Sequence, residues 1–191
     1  MIMHRRWTLL GWAFGTMAVA IPAVAQAIPD APLAHGTLSF DANATLGAFT
    51  GVTRTLTGQL TGAARIDGIR GWVEAPTKSL TTNNGHRDRD MAGSLDIAKY
   101  PTMRFDLDSL TPGDTHGDST AVTLHGRFTV HGQTHDANVP GWAWVRPSGE
   151  RFRGAVSLNV KDYGVGGLSK MLGILKMDKK IAVRMDVTFE R

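Results

Sequence analysis

The sequence predicts an all-β fold, an eight-stranded antiparallel barrel with short helices at its rim. Three observations predict it: apolar and polar residues alternate with period two over most of the chain, turn-forming pairs separate the alternating segments, and the one long apolar run is confined to the N-terminus. Period-two alternation puts one kind of side chain on each face of a strand. Every strand then has an apolar face to cover, and eight strands suffice to close a barrel that leaves no edge exposed.

Taken in order, His4, Arg5 and Arg6, the apolar run from Trp7 to Ala20, and Ala23-Val24-Ala25 ahead of Gln26 read as a cleaved secretory signal over residues 1–25. That run is shorter than the roughly 20 residues a spanning helix needs, and Gly11, Gly15 and Pro22 interrupt it, so a permanent anchor is disfavoured and a periplasmic or secreted location is expected. Residues 26–191 then form one domain. Strands are expected at 36–42, 45–67 with a bend at its glycines, 69–79, 102–110, 120–131, 134–145, 151–162 and 179–190. The last shows the pattern best, with Ile181, Val183, Met185, Val187 and Phe189 on one face and Arg184, Asp186 and Glu190 on the other. Gly132-Gln133 and Ser148-Gly149 are expected as tight turns, and Thr111 to Asp114 starts a longer polar loop. Two segments leave the pattern. Asn84 to Gly93 reads as a turn and short helix, and Gly166 to Lys176 as an amphipathic rim helix, because Leu168, Met171, Leu172 and Leu175 recur at i, i+3, i+4 and i+7.

Composition narrows the function classes. The 191 residues are 42% hydrophobic, enough for one core of ordinary density. Cysteine is absent, which excludes disulfide stapling and a cysteine-linked lipid anchor, so stability must come from burial. Loss of Arg5 and Arg6 with the leader lowers the formal charge from +4 to about +2, and the remaining basic residues are scattered among acidic ones. No basic run or aromatic interleaving marks a nucleic-acid groove. Nucleophile signatures (Gly-x-Ser-x-Gly, Ser-x-x-Lys) are missing, and Asp88, Asp90 and Asp96 do not make a tuned acid/base pair. His125 and His131 on one strand sit about 20 Å apart at ~3.3 Å per residue, which defeats three-point metal coordination with His135, so no metal is expected. Gly164-x-Gly166-Gly167 has a phosphate-loop look but no strand-helix-strand unit around it.

Three blocks carry a family resemblance. The stretch from Ser79 to Pro101 contains Ser79, Leu80, Thr81 and Asn83, the pair Arg87-Asp88, and the step Tyr100-Pro101 into a strand. Leu124 to Val139 contains an apolar-threonine-apolar-histidine-glycine-x-threonine hairpin around His131, and LNVKDYGVGG begins at Leu158. Together they resemble the YceI-like lipid- or polyisoprenoid-binding proteins over nearly all of the exported chain. The resemblance implies a lipocalin-like barrel with an elongated apolar cavity and an isoprenoid quinone, polyprenyl phosphate or other long-chain amphiphile as the bound ligand; beyond such a lipid no cofactor is expected.

On that footing the inward apolar faces supply candidate ligand contacts: Phe105, Leu107, Leu124, Phe128, Val130, Val156, Leu158, Val183 and Met185 on strands, with Met171 and Leu172 on the expected rim helix. Alternating apolar residues also make an ordinary barrel core. The small residues Ala48, Ala75, Gly126 and Gly154 on the same faces are expected to leave room for a chain. Arg87, Asp88, His131 and Asp162 are the polar-rim candidates. For Arg87 and Asp88 two readings stand, a guanidinium aimed at a diphosphate or quinone oxygen and a local ion pair with a helix cap. Asp162, beside Asn159 and Tyr163, either anchors a strand end or meets a head group, and His131 is expected to fix its turn. The partner expected is a hydrophobic small molecule. The alternatives are an integral outer-membrane barrel with its apolar side outward, which lacks aromatic girdles here, and an enzyme acting on a hydrophobic substrate.

Overall fold

The computed structural model describes residues 27–45, 47–166, 169–170 and 175–191. Its strands are β1 (Ala31–Ala44), β2 (Gly47–Thr53), β3 (Thr57–Thr61), β4 (Arg70–Pro76), β5 (Thr102–His116), β6 (Ser119–Val130), β7 (Gln133–Arg146), β8 (Gly149–Asn159), β9 (Ser169–Lys170), β10 (Leu175–Lys176) and β11 (Lys180–Glu190), with one α-helix among the described residues, α1 (Gly85–Ser94), between β4 and β5. All pairings are antiparallel. Neighbours run β11, β8, β7, β6, β5, β4, β3, β1, and β11 pairs back onto β1, closing an eight-stranded barrel.

The expected bent strand over 45–67 is two pieces. β2 pairs with β1 over Leu38 to Ala44, while β3 pairs with Ala31 and Pro32 at the other end of β1 and with β4. Between them, residues 54–56 leave the ladder, and Thr53 Oγ1 accepts from the Thr55 backbone N–H at 3.1 Å, which turns the chain there. β4 stops at Pro76, three residues short of the expectation, because proline has no N–H for the ladder. A β-bulge at Asp108 explains the outline of β5: Leu107 opposes Gly126 but Ser109 opposes His125. The extra residue flips the alternation, so Met103, Phe105 and Leu107 are buried and the next inward residue is Leu110.

Two turns fall one residue earlier than expected. The β6–β7 turn is His131-Gly132, with φ of 51° and 72°, since Val130 pairs with Gln133. Two left-handed residues in succession match strand twist, and glycine is required at the second because a Cβ on Gly132 would run into the Tyr100 ring. The β7–β8 turn is Pro147-Ser148, since Arg146 pairs with Gly149. The helix expected over 166–176 is a correction: Leu175 pairs with Lys170 and Lys176 with Ser169, so the chain doubles back as an antiparallel pair. A helix this short carries an unfavourable nucleation cost, and Gly166, Gly167 and Gly173 raise it further. Leu168, Met171, Leu172 and the leader 1–25 lie outside the described residues.

The interior is asymmetric along the barrel axis. Toward one end, Leu60, Leu110, Leu124, Phe152, Val187 and Phe189 are buried and packed on one another. Glu150 closes this end with no exposure, its Oε1 accepting from Arg191 Nη2 at 2.6 Å. Toward the other end the apolar side chains pack around a space and do not fill it. The outer face carries charge ladders across neighbouring strands. Arg151 and Arg153 both bond Asp186 (Nη2 to Oδ2 2.7 and 2.8 Å), Arg127 bonds Asp108, Arg184 bonds Asp41, and Arg104 pairs with Glu74 on β4 as well as with Asp106 on its own strand.

Candidate functional site

The excursion between β4 and β5 builds one end of the barrel. Its two ends are tied together: Thr77 N–H donates to the Pro101 carbonyl at 2.7 Å, and the Thr77 hydroxyl donates to the Tyr100 carbonyl at 3.0 Å. Ser79 Oγ lies 2.6 Å from both the Pro76 carbonyl and Thr53 Oγ1, so the excursion is fixed to the end of β2. Leu80 turns inward and is buried, while Thr81 exchanges two backbone hydrogen bonds with Val52. Asn83 takes a left-handed φ of 56°, and Asn84 then caps α1 by accepting from the His86 and Arg87 N–H groups at 3.1 Å each.

Asp88 completes this base. Its carboxylate accepts from the Thr82 hydroxyl at 2.6 Å, the Thr82 N–H at 2.8 Å and the Thr81 hydroxyl at 2.8 Å. These bonds, led by the Thr82 hydroxyl, hold its pKa below the usual carboxylate value. Asp88 is therefore occupied in organising the chain ahead of α1. α1 in turn presents Met91, with Leu95 just beyond its end, to a small apolar cluster of Ala75, Leu80 and Met103.

His131 and Asp162 are also tied to backbone. His131 Nδ1 donates to the Tyr163 carbonyl at 3.0 Å, and His135 Nε2 donates to the Asp162 carbonyl at 2.9 Å. A carbonyl oxygen only accepts, so each ring nitrogen carries the proton. The Asp162 side chain accepts from Asn159 Nδ2 at 2.8 Å. Two histidines of the β6–β7 hairpin thus pin the turn after β8, which places the buried Tyr163 ring against the interior; burial raises the phenol pKa, keeping it neutral. His125 lies outside, between Thr111 Oγ1 (2.9 Å) and Asn138 Oδ1 (2.7 Å). Among the described residues, no three His, Asp or Glu side chains converge as metal ligands.

Beneath α1 the barrel encloses a cavity of about 400 Å³. Its wall is mainly apolar, with Arg87, Asp90 and Arg104 the charged residues in the lining. Of the strand candidates, Phe105, Phe128, Val130, Leu158, Val183 and Met185 line it, whereas Leu107, Leu124 and Val156 do not. Leu107 and Leu124 belong to the packed end of the core. Of the polar candidates only Arg87 reaches the lining, its guanidinium carbon 4.4 Å from the centre of the Phe49 ring. The mouth lies between α1 and the tip of the β1–β2 hairpin, where Thr45, Gly47, Phe49, Asn84 and Arg87 meet.

The wall also contains residues the sequence reading did not single out as contacts, among them Phe40, Phe49, Leu80, Met91, Leu95 and Tyr163. Phe40 and Leu80 carried a usable signal, the first in β1 alternation and the second inside the Ser79–Thr81 motif. Met91 and Leu95 carried none, since α1 has little amphipathic pattern and its inward side is set by where the excursion folds back. The expected gaps are a further correction. Ala48 is exposed, the Phe105 ring lies over Gly126, and Val139 covers Gly154. A larger, open concavity of about 970 Å³ lies on the outside of the barrel, near Thr111, Trp142, Arg153 and Arg184.

The sequence matches the YceI-like domain over residues 30–189. No curated protein matches it. Among solved structures it is similar to a polyisoprenoid binding domain from Saccharophagus degradans implicated in plant cell wall breakdown, with 14% identity, a TM-score of 0.69, and 85% of this chain and 98% of that one covered. It is also similar to Burkholderia cenocepacia BcnA (15% identity, TM-score 0.67, 80% and 95% covered). The Campylobacter jejuni YceI protein aligns over 98% of this chain and 99% of its own at 14% identity and a TM-score of 0.56. At these identities the likeness is one of fold.

Proposed function

Since the chain belongs to the YceI-like family, we propose that it is an exported binding protein that carries or buffers an isoprenoid amphiphile, a quinone or a polyprenyl phosphate, with its tail inside the barrel and its head at the mouth. The observation that supports this most is the cavity of about 400 Å³, mainly apolar along its wall, with Arg87 among its few charged lining residues. A sheet core packed to ordinary density leaves few voids larger than a water molecule. A space this size falls within the range of small-molecule sites.

At the roughly 30 Å³ of liquid that a water-sized group occupies, the cavity holds about 13 methylene-sized groups. At ~0.8 kcal/mol each, their burial contributes about 10 kcal/mol before losses. Loss of rigid-body freedom and ordering of the tail oppose several kcal/mol of this, which leaves a dissociation constant on the order of tens of micromolar from the wall alone. The wall therefore outweighs any single contact at the rim. Arg87 orients the head, and an anionic or carbonyl head group suits its guanidinium.

The outer face argues against the membrane-barrel alternative. Charged side chains at mid-strand, such as Arg104, Asp106, Arg127, Arg153 and Asp186, would have to face lipid, at about 2–4 kcal/mol for each arginine near the midplane. No described helix is long and apolar enough to cross a membrane. Asp88, His131 and Asp162 are each engaged with neighbouring backbone or side chains, which supports binding over turnover. Export rests on the leader pattern of residues 1–25.

The test is expression of the whole chain in a Gram-negative host, fractionation, N-terminal sequencing and mass spectrometry of lipid extracted from the purified protein. The expected result is a soluble periplasmic protein beginning near Gln26 with a stoichiometric polyisoprenoid. Recovery only from detergent-extracted membrane, or a cavity free of lipid together with no saturable binding of farnesol or farnesyl phosphate, would overturn the proposal.

A further inference from the structure

The interior of the barrel is divided, and three side chains stand at the division. Beyond the cavity lies a second, much smaller void of about 20 Å³, lined by the packed end of the core, including Leu124, Phe152 and Phe189. Phe105, Val73 and Met185 border both spaces. Phe105 is 4% exposed and lies with its ring centre 4.7 Å from that of Phe128, the two planes tilted by 41°. Its ring extends over Gly126, where a Cβ would come within 2.9 Å of Cζ. Gly126 thus admits the ring to a position across the bore, and Phe128 holds it there.

We propose that Phe105 is the floor of the binding cavity and sets the length of tail the protein encloses at about three isoprene units. This rests on the carrier reading above and narrows its ligand. Room for about 13 methylene-sized groups corresponds to between two and three five-carbon units. A tail entering at Arg87 runs down past Met103 and Leu158 and meets the ring face. Below it the packed core has no space for a sixteenth or twentieth carbon. The remainder of any longer tail stays at the mouth, where water is near and burial adds little.

The experiment compares all-trans prenyl alcohols of two, three and four units against the wild-type protein, Phe105→Ala and Phe105→Leu. Each fully buried methylene contributes about fourfold in affinity. Wild type is expected to bind three units at least about tenfold tighter than two, with less than about threefold further gain at four. Phe105→Ala opens the way into the space among Leu107 and Leu124, and its gain from three to four units is expected to exceed about tenfold. Phe105→Leu, a gentler change should the alanine variant not fold, gives an intermediate gain. Wild-type affinity that keeps climbing undiminished to four units, or a length profile identical in all three proteins, overturns the inference while leaving the carrier proposal intact. Failure of every length to bind overturns both.

Discussion

Truncating Arg191 tests whether the barrel is closed at one end by a buried ion pair. Glu150 is 0% exposed, with Oε1 2.6 Å from Arg191 Nη2, and among the described residues its Oε2 has no hydrogen-bond partner. Arg191 also donates from Nη1 to the Pro147 carbonyl at 2.7 Å, so one side chain ties the β7–β8 turn to the end of β11. Arg191→Ala leaves a carboxylate inside the barrel with no partner. Losing one member of a buried pair costs about 3–5 kcal/mol, and the 27% exposure of the Arg191 side chain places this case at the lower end, ~3 kcal/mol. For a chain of this size that lowers Tm by about 6–12 °C. Glu150→Leu removes the fully buried charge and leaves Arg191, which is partly exposed and still bonded to the Pro147 carbonyl, so it is expected to cost less than Arg191→Ala. Thermal and urea unfolding of both variants decides the matter. An Arg191→Ala protein within about 0.5 kcal/mol of wild type, the range of ordinary surface substitutions, would show that the pair does not seal this end.

Three further outcomes follow from the other end of the barrel. Arg87→Ala removes the cation at the mouth and is expected to weaken farnesyl phosphate by about 10- to 150-fold, from the ~1.5–3 kcal/mol of a charge-assisted hydrogen bond, but farnesol by less than about threefold; equal losses for both probes in a calorimetric titration would contradict the orienting role. Asp88 has its pKa lowered on folding, chiefly by the Thr82 hydroxyl, so its stabilising bonds are complete above the unfolded value of about 3.9 and are lost as pH falls through the lower folded value. The Thr82 amide, which donates to Asp88, should titrate by NMR with a midpoint below about 3.9, and a midpoint at or above it would contradict the assignment. Gly126→Ala forces a Cβ against the Asp106 carbonyl and the Phe105 ring and is expected to destabilise by about 1–3 kcal/mol or to prevent folding; unchanged urea stability would show that the ring has slack.

Local signals carried most of the architecture, and long-range packing carried most of the site. Alternation from Ile181 to Phe189 and from Val122 to Val130 identified both strands and their inward faces, because a half-buried sheet enforces period two. The cap at Asn84 was visible in an asparagine-glycine pair ahead of α1. The segment 166–176 misled because four leucine and methionine positions fit a helical period by themselves, whereas the strand pairing that competes with it depends on where the chain returns. Period two says which way a side chain points but not whether it meets another. Phe105 and Leu107 have the same signature, yet one borders the cavity and the other the packed end. Gly126 looked like a gap for the same reason, since the ring that fills it comes from the neighbouring strand.

Met91, Met103, Met177 and Met185 all line the cavity, on α1, β5, the segment before β11 and β11 itself. Protein labelled with ¹³C at the methionine methyls and titrated with farnesol therefore reports directly on whether a hydrocarbon tail enters the barrel. The account predicts saturable shifts of these four methyl signals and contacts between them and the farnesol chain. Saturation that leaves all four unmoved, with any contacts confined to the outer groove around Trp142, would contradict it.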